Sequence, residues 1–415
     1  MTSEQKWPEL LAPAGSYEKL VTAIHYGADA VYLGGKHYSL RTRAANFDRD
    51  GLREAVEYSH GHGVKVYVTL NIFARSSDFD GLEGYLFFLR DIGVDGIIVA
   101  DPGILYVIRK TIPEVEIHLS TQANITNPAS VCFWGEQGVK RVNLARELSL
   151  KEVAEIRRES FIELEVFVHG ALCISYSGRC MLSTYFTGRD ANRGDCAHPC
   201  RYSYRLVEEK RPDRYFPVEE DGRGTYIFNS KDLCLIKRLP QLIAAGADSL
   251  KIEGRVKSMG YVGQTVRVYR AALDWIRDNV SRGTSLEECV LPKEFDEEMQ
   301  KIGTRGRTEN FADSPPQASD MLYNDMRGEQ AWAPVGIVRS VSPLSIETRN
   351  VLRVGDEVEY LDRSISVQKV RISAITDSKG GSVERANPGN LVEITSEPAI
   401  VDPEVNAIIR MIRKQ

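Results

Sequence analysis

Short β-rich runs alternate with amphipathic helical patterns from residue 8 to about residue 280, and this alternation constrains the fold more than any other feature of the chain. Three helical patterns end alike, at Gly27-Ala-Asp, Gly93-Val-Asp and Gly246-Ala-Asp, and each is followed by a strand pattern. A glycine just past a helix supplies the left-handed turn that leads into the next strand. The recurrence predicts about eight βα units closed into a (β/α)8 TIM-like barrel. A doubly wound open sheet is the alternative.

The β-rich runs and the helical patterns between them can be given approximate limits. The predicted strands are Glu9 to Ala12, Ala30 to Gly34, Val64 to Asn71, Gly96 to Asp101, Glu116 to Ser120, Arg141 to Ala145, Leu164 to His169, Thr225 to Asn229 and Ser249 to Glu253. Apolar residues at helical spacing predict helices at Tyr17 to Tyr26, Leu52 to His60, Leu82 to Ile92, Leu150 to Arg158 and Tyr261 to Asp278.

The pattern changes twice after the predicted barrel. Residues 295–332 lose periodicity and contain Pro315-Pro316, which predicts a linker that follows a catalytic barrel over residues 1–294. From Ala333 the pattern is strictly β, which predicts a small antiparallel β-barrel over residues 333–400. Residues 401–415 are expected to form a tail or a closing helix.

Four cysteines are crowded into a loop, residues 171–205, that directly follows the seventh predicted strand. Cys173, Cys180, Cys196 and Cys200 have the spacing C-x6-C-x15-C-x3-C. Thiols this close together, beside glycines, suit a soft metal better than disulfides, which close long loops. The spacing leaves zinc and an iron–sulfur cluster equally open. Cys234, expected a short way into the next helix, is an alternative ligand.

Polar and basic residues follow many of the predicted strands, at the end where a barrel forms its active face. Their convergence on one mouth predicts an anionic ligand. Arg146 and Arg255 are the leading candidates, because a guanidinium at a strand end is costly to keep without an anion. The other candidates for ligand binding are Arg41, Arg43, Gln122 and Lys231, and the candidates for catalysis are His169 and Glu253.

The cysteine loop also interleaves arginines with tyrosines, a mixture that suits an unstacked base or a flexible nucleic-acid strand. The candidate RNA-binding residues are Arg179, Arg189, Arg193, Arg201 and Tyr202. The alternative is a solvated loop that wraps the metal site. Because the chain carries a net charge of -5, it has no general attraction to polyanions, and any RNA contact must be local.

Several function classes have no support in the sequence. The chain has no H-E-x-x-H, G-x-S-x-G or G-x-x-x-x-G-K-[ST] motif, so zinc-protease, serine-hydrolase and phosphate-loop signals are missing. It also has no run of about 18 apolar residues and no leader pattern at its start. A cytoplasmic protein without membrane contact is expected.

Three segments carry a family resemblance: Glu9-Leu-Leu-Ala-Pro-Ala-Gly15, Glu165-Val-Phe-Val-His-Gly-Ala-Leu-Cys173-x6-Cys180-Met-Leu-Ser, and Ser249-Leu-Lys-Ile-Glu-Gly-Arg255. They resemble the collagenase-like peptidase family of unassigned catalytic type, peptidase family thirty-two, over roughly residues 8–280. The chain looks most like the branch of this family that hydroxylates tRNA. That further likeness rests on Cys196 and Cys200 followed by Arg201-Tyr202, on the run Asn229-Ser-Lys-Asp232, and on the C-terminal β-domain.

The resemblance implies an oxygen-independent hydroxylase that places a hydroxyl on C5 of the tRNA wobble uridine. It implies a 4Fe-4S cluster on the four loop cysteines, prephenate as co-substrate held by Arg146 and Arg255, and the tRNA anticodon region as partner. It does not indicate the electron donor. The alternatives are hydroxylation of an rRNA cytidine, a peptidase that uses His169 or a cysteine, and a non-catalytic scaffold that binds RNA.

Overall fold

The chain forms two closed β-barrels in series, joined by buried contacts. The structure is a computed structural model that describes residues 6–39, 46–172, 182–191, 194–199, 219–221, 224–226, 231–303, 306–314 and 331–413. Within these residues, no helix combines the length and the apolar character that crossing a membrane requires.

The first barrel has eight parallel strands. The strands of this part of the chain are β1 Glu9–Pro13, β2 Ala30–Leu33, β3 Lys65–Leu70, β4 Gly96–Val99, β5 Glu116–Leu119, β6 Arg141–Asn143, β7 Glu163–Ala171, β8 Glu219–Asp221, β9 Gly224–Tyr226, β10 Asp232–Cys234, β11 Ser249–Ile252 and β12 Arg307–Thr308. Strands β1 to β7 pair in order, and β11 pairs in parallel with both β7 and β1, which closes the sheet. The predicted (β/α)8 barrel is therefore confirmed, and the open sheet is wrong.

Helices surround this barrel. They are α1 Tyr17–His25, α2 Arg49–Gly61, α3 Leu82–Asp91, α4 Pro102–Thr111, α5 Pro128–Glu136, α6 Leu150–Glu159, α7 Leu182–Thr187, α8 Leu239–Ala244, α9 Met259–Ser281 and α10 Lys293–Gln300. Side-chain oxygens of Ser16, Asp48 and Asp101 cap the first turns of α1, α2 and α4. These caps fix where each helix begins, and hence where each loop at the barrel mouth ends.

The second barrel is antiparallel. Its strands and the short pair beside it are β13 Trp332–Val341, β14 Leu344–Thr348, β15 Leu352–Arg353, β16 Glu357–Leu361, β17 Gln368–Thr376, β18 Arg385–Ala386, β19 Leu391–Glu397 and β20 Ile408–Ile412. Six strands close in the order β13-β14-β19-β17-β16-β20, with β20 between β16 and β13. The predicted C-terminal barrel is confirmed, but the tail or helix predicted for 401–415 is wrong because β20 completes the barrel.

Three other sequence expectations need correction. The run Thr225 to Asn229 is not a barrel strand, because β9 pairs antiparallel with β8, and residues 227–229 lie outside the described residues. Cys234 ends strand β10, which pairs antiparallel with β7, and does not lie in a helix. The segment 295–332 is more than a linker, since α10 buries Phe295 and Met299 against the first barrel.

A buried ion network joins the two barrels. The guanidinium of Arg410 on β20 is 1% exposed and bonds both carboxylate oxygens of Glu298, at 2.8 and 2.7 Å, and Oε2 of Glu359 at 2.7 Å. Arg267 on α9 donates to Glu298 at 2.9 Å and to the Asp362 carbonyl at 2.7 Å. Because these partners come from both barrels, the network holds the second barrel against α9 and α10.

Candidate active site

The floor of the first barrel's mouth is charged, although barrel interiors are usually filled by branched apolar side chains. Lys251 on β11 donates to Oε1 of Glu165 on β7 at 2.7 Å, and both side chains are buried. The ammonium also lies 4.5 Å from the ring centre of Tyr32. Burial alone would raise the pKa of Glu165, but Lys251 and Arg141 outweigh it and lower that pKa. Glu165 is therefore a carboxylate, and the pair is ionic.

Below the floor, further charges continue toward the opposite end of the barrel. Arg141 donates to Glu9 at 2.6 Å and to Glu163 at 2.8 Å, and Tyr67 donates to Glu9 at 2.7 Å. The ring of His118 packs edge-on to Tyr67, with ring centres 4.5 Å apart, and burial lowers its pKa. Each charge in this set has an opposite partner, which is what allows the charges to be buried.

Arg255 lies at the mouth and is 2% exposed. It donates to Oγ1 of Thr69 at 2.7 Å, to Oγ of Ser39 at 2.7 Å and to Oδ1 of Asn46 at 3.3 Å. These three contacts orient the guanidinium at the mouth. A Cβ added to Gly15 would stand 1.9 Å from the Arg255 carbonyl oxygen, so only glycine fits there.

Arg146 comes to the same mouth from the loop after β6, and Glu253 directly follows β11. The guanidinium carbon of Arg146 lies 3.9 Å from the ring centre of Phe167, and Nη1 donates to the Ala171 carbonyl at 3.2 Å. Glu253 is half-buried, and the hydroxyl of Tyr32 donates to its Oε2 at 3.3 Å. The structure thus places Arg146, Arg255 and Glu253 around the Tyr32–Lys251 floor.

Among the described residues, Gln122 connects two loops at the barrel mouth. Its amide nitrogen donates to the Asn71 carbonyl at 2.9 Å, and its amide oxygen accepts from the Asn71 side chain at 3.0 Å and from Ser120 at 2.8 Å. The side chain is 3% exposed. These bonds fix the loop after β3 to the loop after β5. Lys231 is half-buried beside Gly306 and directly precedes β10, the strand that borders β7.

His169 is buried away from the opening. It is 1% exposed, its Nδ1 lies 3.4 Å from the hydroxyl of Tyr269, and its ring also contacts Tyr261. Its Nε2 has no hydrogen-bond partner within the described part of the chain. Burial lowers the pKa of His169 to about 3, so the imidazole is neutral at physiological pH. A neutral, covered ring does not suit general acid–base catalysis on a bound substrate.

Of the five candidate metal ligands, two fall within the described residues. Cys196 is half-buried, and its sulfur lies 3.4 Å from the backbone nitrogen of His198. Cys234 is buried, and burial raises the pKa of its thiol, which disfavours the thiolate that a metal requires. The other three, Cys173, Cys180 and Cys200, lie outside the described residues. Where the chain is described, no three His, Cys, Asp or Glu side chains form a metal-binding group.

The predicted RNA-binding residues fall mostly on the same undescribed segments. Arg189 is described, and its Nε donates to Asp195 at 2.9 Å, which ties two turns of the cysteine loop together. The predicted residues that lie outside the described ranges are Arg41, Arg43, Arg179, Arg193, Arg201 and Tyr202.

Comparison with known proteins gives the family. Residues 15–322 match the model of Peptidase family U32, and residues 330–410 match that of the Peptidase family U32 C-terminal domain. The chain belongs to peptidase family U32. The family expected from the sequence motifs is thereby confirmed, and the two matched regions correspond to the two barrels.

Three relatives of this U32 chain differ in what their names say. It is 42% identical to the tRNA hydroxylation protein P1 of Bacillus subtilis, over 92% of this chain and 90% of that protein. It is 36% identical to the uncharacterized protease MJ0090 of Methanocaldococcus jannaschii, over 93% of this chain and 94% of that one. It is also 36% identical to the 23S rRNA 5-hydroxycytidine C2501 synthase of Escherichia coli, over 76% of this chain and 46% of the synthase.

Sequence reasoning missed the charged floor of the U32 barrel. Glu165 and Lys251 stand within predicted strands, where they read as breaks in an apolar run. The available signal was alternation: Glu165 and Phe167 are two residues apart on β7, as are Lys251 and Ser249 on β11, so each pair shares a face. That pattern marks polar residues on the inward face, which in a closed barrel must find partners.

Proposed function

We propose that this U32 protein is an RNA hydroxylase whose target is C5 of the tRNA wobble uridine, with prephenate as co-substrate. The observation that carries the proposal is the 42% identity to a tRNA hydroxylation protein over 92% of the chain, both barrels included. Similarity to an rRNA 5-hydroxycytidine synthase supports the same reaction type on RNA, and hydroxylation of an rRNA cytidine is the nearest alternative.

The geometry of the mouth supports an anionic co-substrate. Arg255 is oriented by neutral acceptors, and Arg146 lies flat on Phe167 with part of its surface exposed. Two guanidinium groups on different strands suit a dicarboxylate such as prephenate, since each can hold one carboxylate. The ammonium of Lys251 beneath them is paired with Glu165 and lies 4.5 Å from the ring centre of Tyr32, so it closes the floor. Together these groups bind and orient the co-substrate.

Glu253 is the group placed for proton movement. Hydroxylation replaces the C5–H bond of the base by a C–O bond, a two-electron oxidation in which, in this proposal, the C5 hydrogen leaves as a proton and the two electrons pass to the co-substrate. Oε2 of Glu253 is bonded to the Tyr32 hydroxyl at 3.3 Å and is half-exposed at the mouth, so it is the acceptor we assign. His169, the other predicted catalytic residue, does not take this role, because its ring is buried and neutral.

The expected iron–sulfur cluster would be held by Cys173, Cys180, Cys196 and Cys200, and it would supply electron transfer at the mouth. Cys196 fits this role, since its sulfur is half-buried in the loop after β7. Cys234 fits it poorly, because its thiol is buried beside Tyr269. We therefore assign the fourth position to Cys200 and treat Cys234 as a packing residue.

The peptidase alternative has weaker support. One relative carries the name of a protease, but burial raises the pKa of the thiols of Cys234 and Cys289, and His169 is covered. Among the described residues, Cys196 has an imidazole close by, with its Sγ 3.9 Å from Nδ1 of His198, and we assign that thiol to the cluster. A non-catalytic RNA scaffold would leave the paired arginines and the Glu253–Tyr32 contact without a use.

The test is anaerobic purification with iron and sulfide counts, followed by mass spectrometry of tRNA nucleosides from cells that carry each variant. Cys173→Ala and Cys180→Ala should lose the cluster and the hydroxyuridine while the barrel stays folded. Cys234→Ala and the exposed control Cys132→Ala should keep both. Full modification in Cys173→Ala would refute the cluster's role. A colourless wild type with one tightly bound zinc would restore the scaffold and peptidase alternatives.

A further inference from the structure

A second cavity opens beside the mouth, between the loop after β2 and the first turns of α2 and α3. Its volume is about 330 Å³, within the range of ligand pockets. Its inner edge adjoins the proposed active site: Ser39 and Asn46, on the two sides of the loop after β2, both accept from Arg255. A chain segment bound at the mouth could therefore place a neighbouring group in this cavity.

The walls of the cavity combine aromatic rings with charged groups. The rings of Tyr38 and Tyr85 lie 5.5 Å apart, and Phe47 is buried behind them. Lys36 and Arg49 stand on the exposed rim, where the Lys36 ammonium lies 3.2 Å from Oδ2 of Asp48. Aromatic faces beside cations are the features that bind an unstacked base and its phosphate. A purely apolar ligand would gain nothing from the rim, and a free inorganic anion would gain nothing from the rings.

The hydroxyl of Tyr85 lacks a partner. Tyr85 is 6% exposed, its oxygen is buried, and it makes no hydrogen bond with any described residue. It lies against the backbone at Gly35, where an added Cβ would be 2.2 Å from the oxygen. Buried polar groups are nearly always bonded, and phenylalanine would fill the same space without the penalty. The hydroxyl is therefore expected to find its partner in a bound state.

Tyr38 covers Tyr85 and is held loosely. Its φ of 63° lies in the left-handed region, which is unfavourable for a tyrosine. Its hydroxyl lies 3.5 Å from the Asp80 carbonyl oxygen, at the limit of a hydrogen bond, and its ring is tilted by 32° to that of Tyr85. A shift of this one side chain would open the space between the two rings to a ligand.

We infer that this cavity binds an unstacked base of the RNA next to the nucleotide that is modified, with the base stacked on Tyr38 and hydrogen-bonded to the hydroxyl of Tyr85. The inference rests on the proposed function, because it requires RNA at the mouth. It adds a second base subsite to the one at the barrel opening. Arg49 on the rim holds the phosphate of that nucleotide, and Lys36 joins it by exchanging its ion pair with Asp48 for the phosphate.

The test measures binding of a whole tRNA by the anaerobically purified full chain, with 2-aminopurine placed in turn at each position of the anticodon loop. Tyr38→Leu should raise Kd roughly 10-fold and abolish the fluorescence change at one loop position. Tyr85→Phe should raise Kd by about 5- to 10-fold, yet melt at or above the temperature of the wild type. Tyr106→Phe on α4, where the ring is 58% exposed, is the matched control and should change nothing.

Tyr85→Phe separates a role of the hydroxyl in RNA binding from a role in folding, because the first predicts a higher Kd and the second a lower melting temperature. If the hydroxyl only supported the fold, its removal would lower the melting temperature and leave Kd unchanged. Equal Kd for the wild type, Tyr38→Leu and Tyr85→Phe would overturn the subsite and leave the RNA substrate intact. Failure of the wild type to bind any tRNA would overturn both proposals. A duplex RNA of equal length, whose bases stay stacked, should bind the wild type and Tyr38→Leu alike.

Discussion

Arg410 offers the sharpest test of how the two barrels are held together. Its guanidinium is 1% exposed and bonds Glu298 and Glu359, and its Nη1 donates to Gln264 at 2.7 Å. Arg410→Met keeps most of the side-chain volume and removes the charge. The two glutamates then remain buried with one cation fewer between them.

Removing one member of a buried ion pair costs about 3–5 kcal/mol, because the partner's charge stays buried. Here both carboxylates keep other cations. Arg267 lies 2.9 Å from Glu298, and Lys301 lies 2.8 Å from Glu298 and 3.1 Å from Glu359. Arg410→Met should therefore lower the free energy of opening by an amount at the lower end of this range, about 3 kcal/mol.

The assay is hydrogen–deuterium exchange of peptides that contain β20, which reports the local free energy of opening. Exposed Arg385, on the short β15–β18 pair beside the same barrel, supplies the control: Arg385→Ala should change that free energy by less than about 0.5 kcal/mol. Tryptophan fluorescence provides a second reading, since the guanidinium of Arg410 lies 5.2 Å from the ring centre of Trp332.

The same experiment has a pH dependence with a definite sign. Burial raises the pKa of Glu298, but Arg410, Lys301 and Arg267 outweigh it and lower that pKa below 4.5. Its contribution to stability is full above pH 4.5 and is lost as the pH falls through the lowered value. The difference in the free energy of opening between Arg410→Met and the wild type should therefore shrink below about pH 4. A difference under 1 kcal/mol at pH 7, or one that grows in acid, would refute the reasoning.

Two further predictions concern the mouth. Gly15→Ala should raise the Kd for prephenate at least roughly 10-fold in calorimetry, because the new Cβ would stand 1.9 Å from the Arg255 carbonyl oxygen. The control, Gly61→Ala, has open space around the new Cβ and should leave the Kd unchanged. Equal Kd values for the two variants would show that the contact between Gly15 and Arg255 does not determine prephenate binding. Because burial lowers the pKa of His169 from 6.5 to about 3, its imidazole should stay neutral in NMR titrations from pH 5 to 8. The stability that depends on the neutral form of His169 is full above pH 6.5 and is lost as the pH falls toward 3. A His169 resonance that titrates near pH 6.5 would contradict the buried position of its ring.

Much of the site could be located from the sequence, but its internal organisation could not. Arg146, Arg255 and Glu253 follow strands, and a barrel brings all strand ends to one face, so their convergence was predictable. The burial of His169 could not be predicted, because its position at a strand end does not reveal that Tyr261 and Tyr269 pack on its ring. Gln122 stands at the right face, but its described bonds hold Asn71.

The sequence by itself determined most of the elements of both barrels, because strand and helix periodicity and glycine caps are local properties of neighbouring residues. Only the tertiary structure decided which charges meet. Glu165 and Lys251 are 86 positions apart, and Arg410 reaches Glu298 across 112. Strand β20, which the sequence did not predict, follows the same logic. Its backbone pairs with β13 and β16, which lie far from it along the chain. Pairing over such distances depends on closure of the barrels, and no local pattern encodes it.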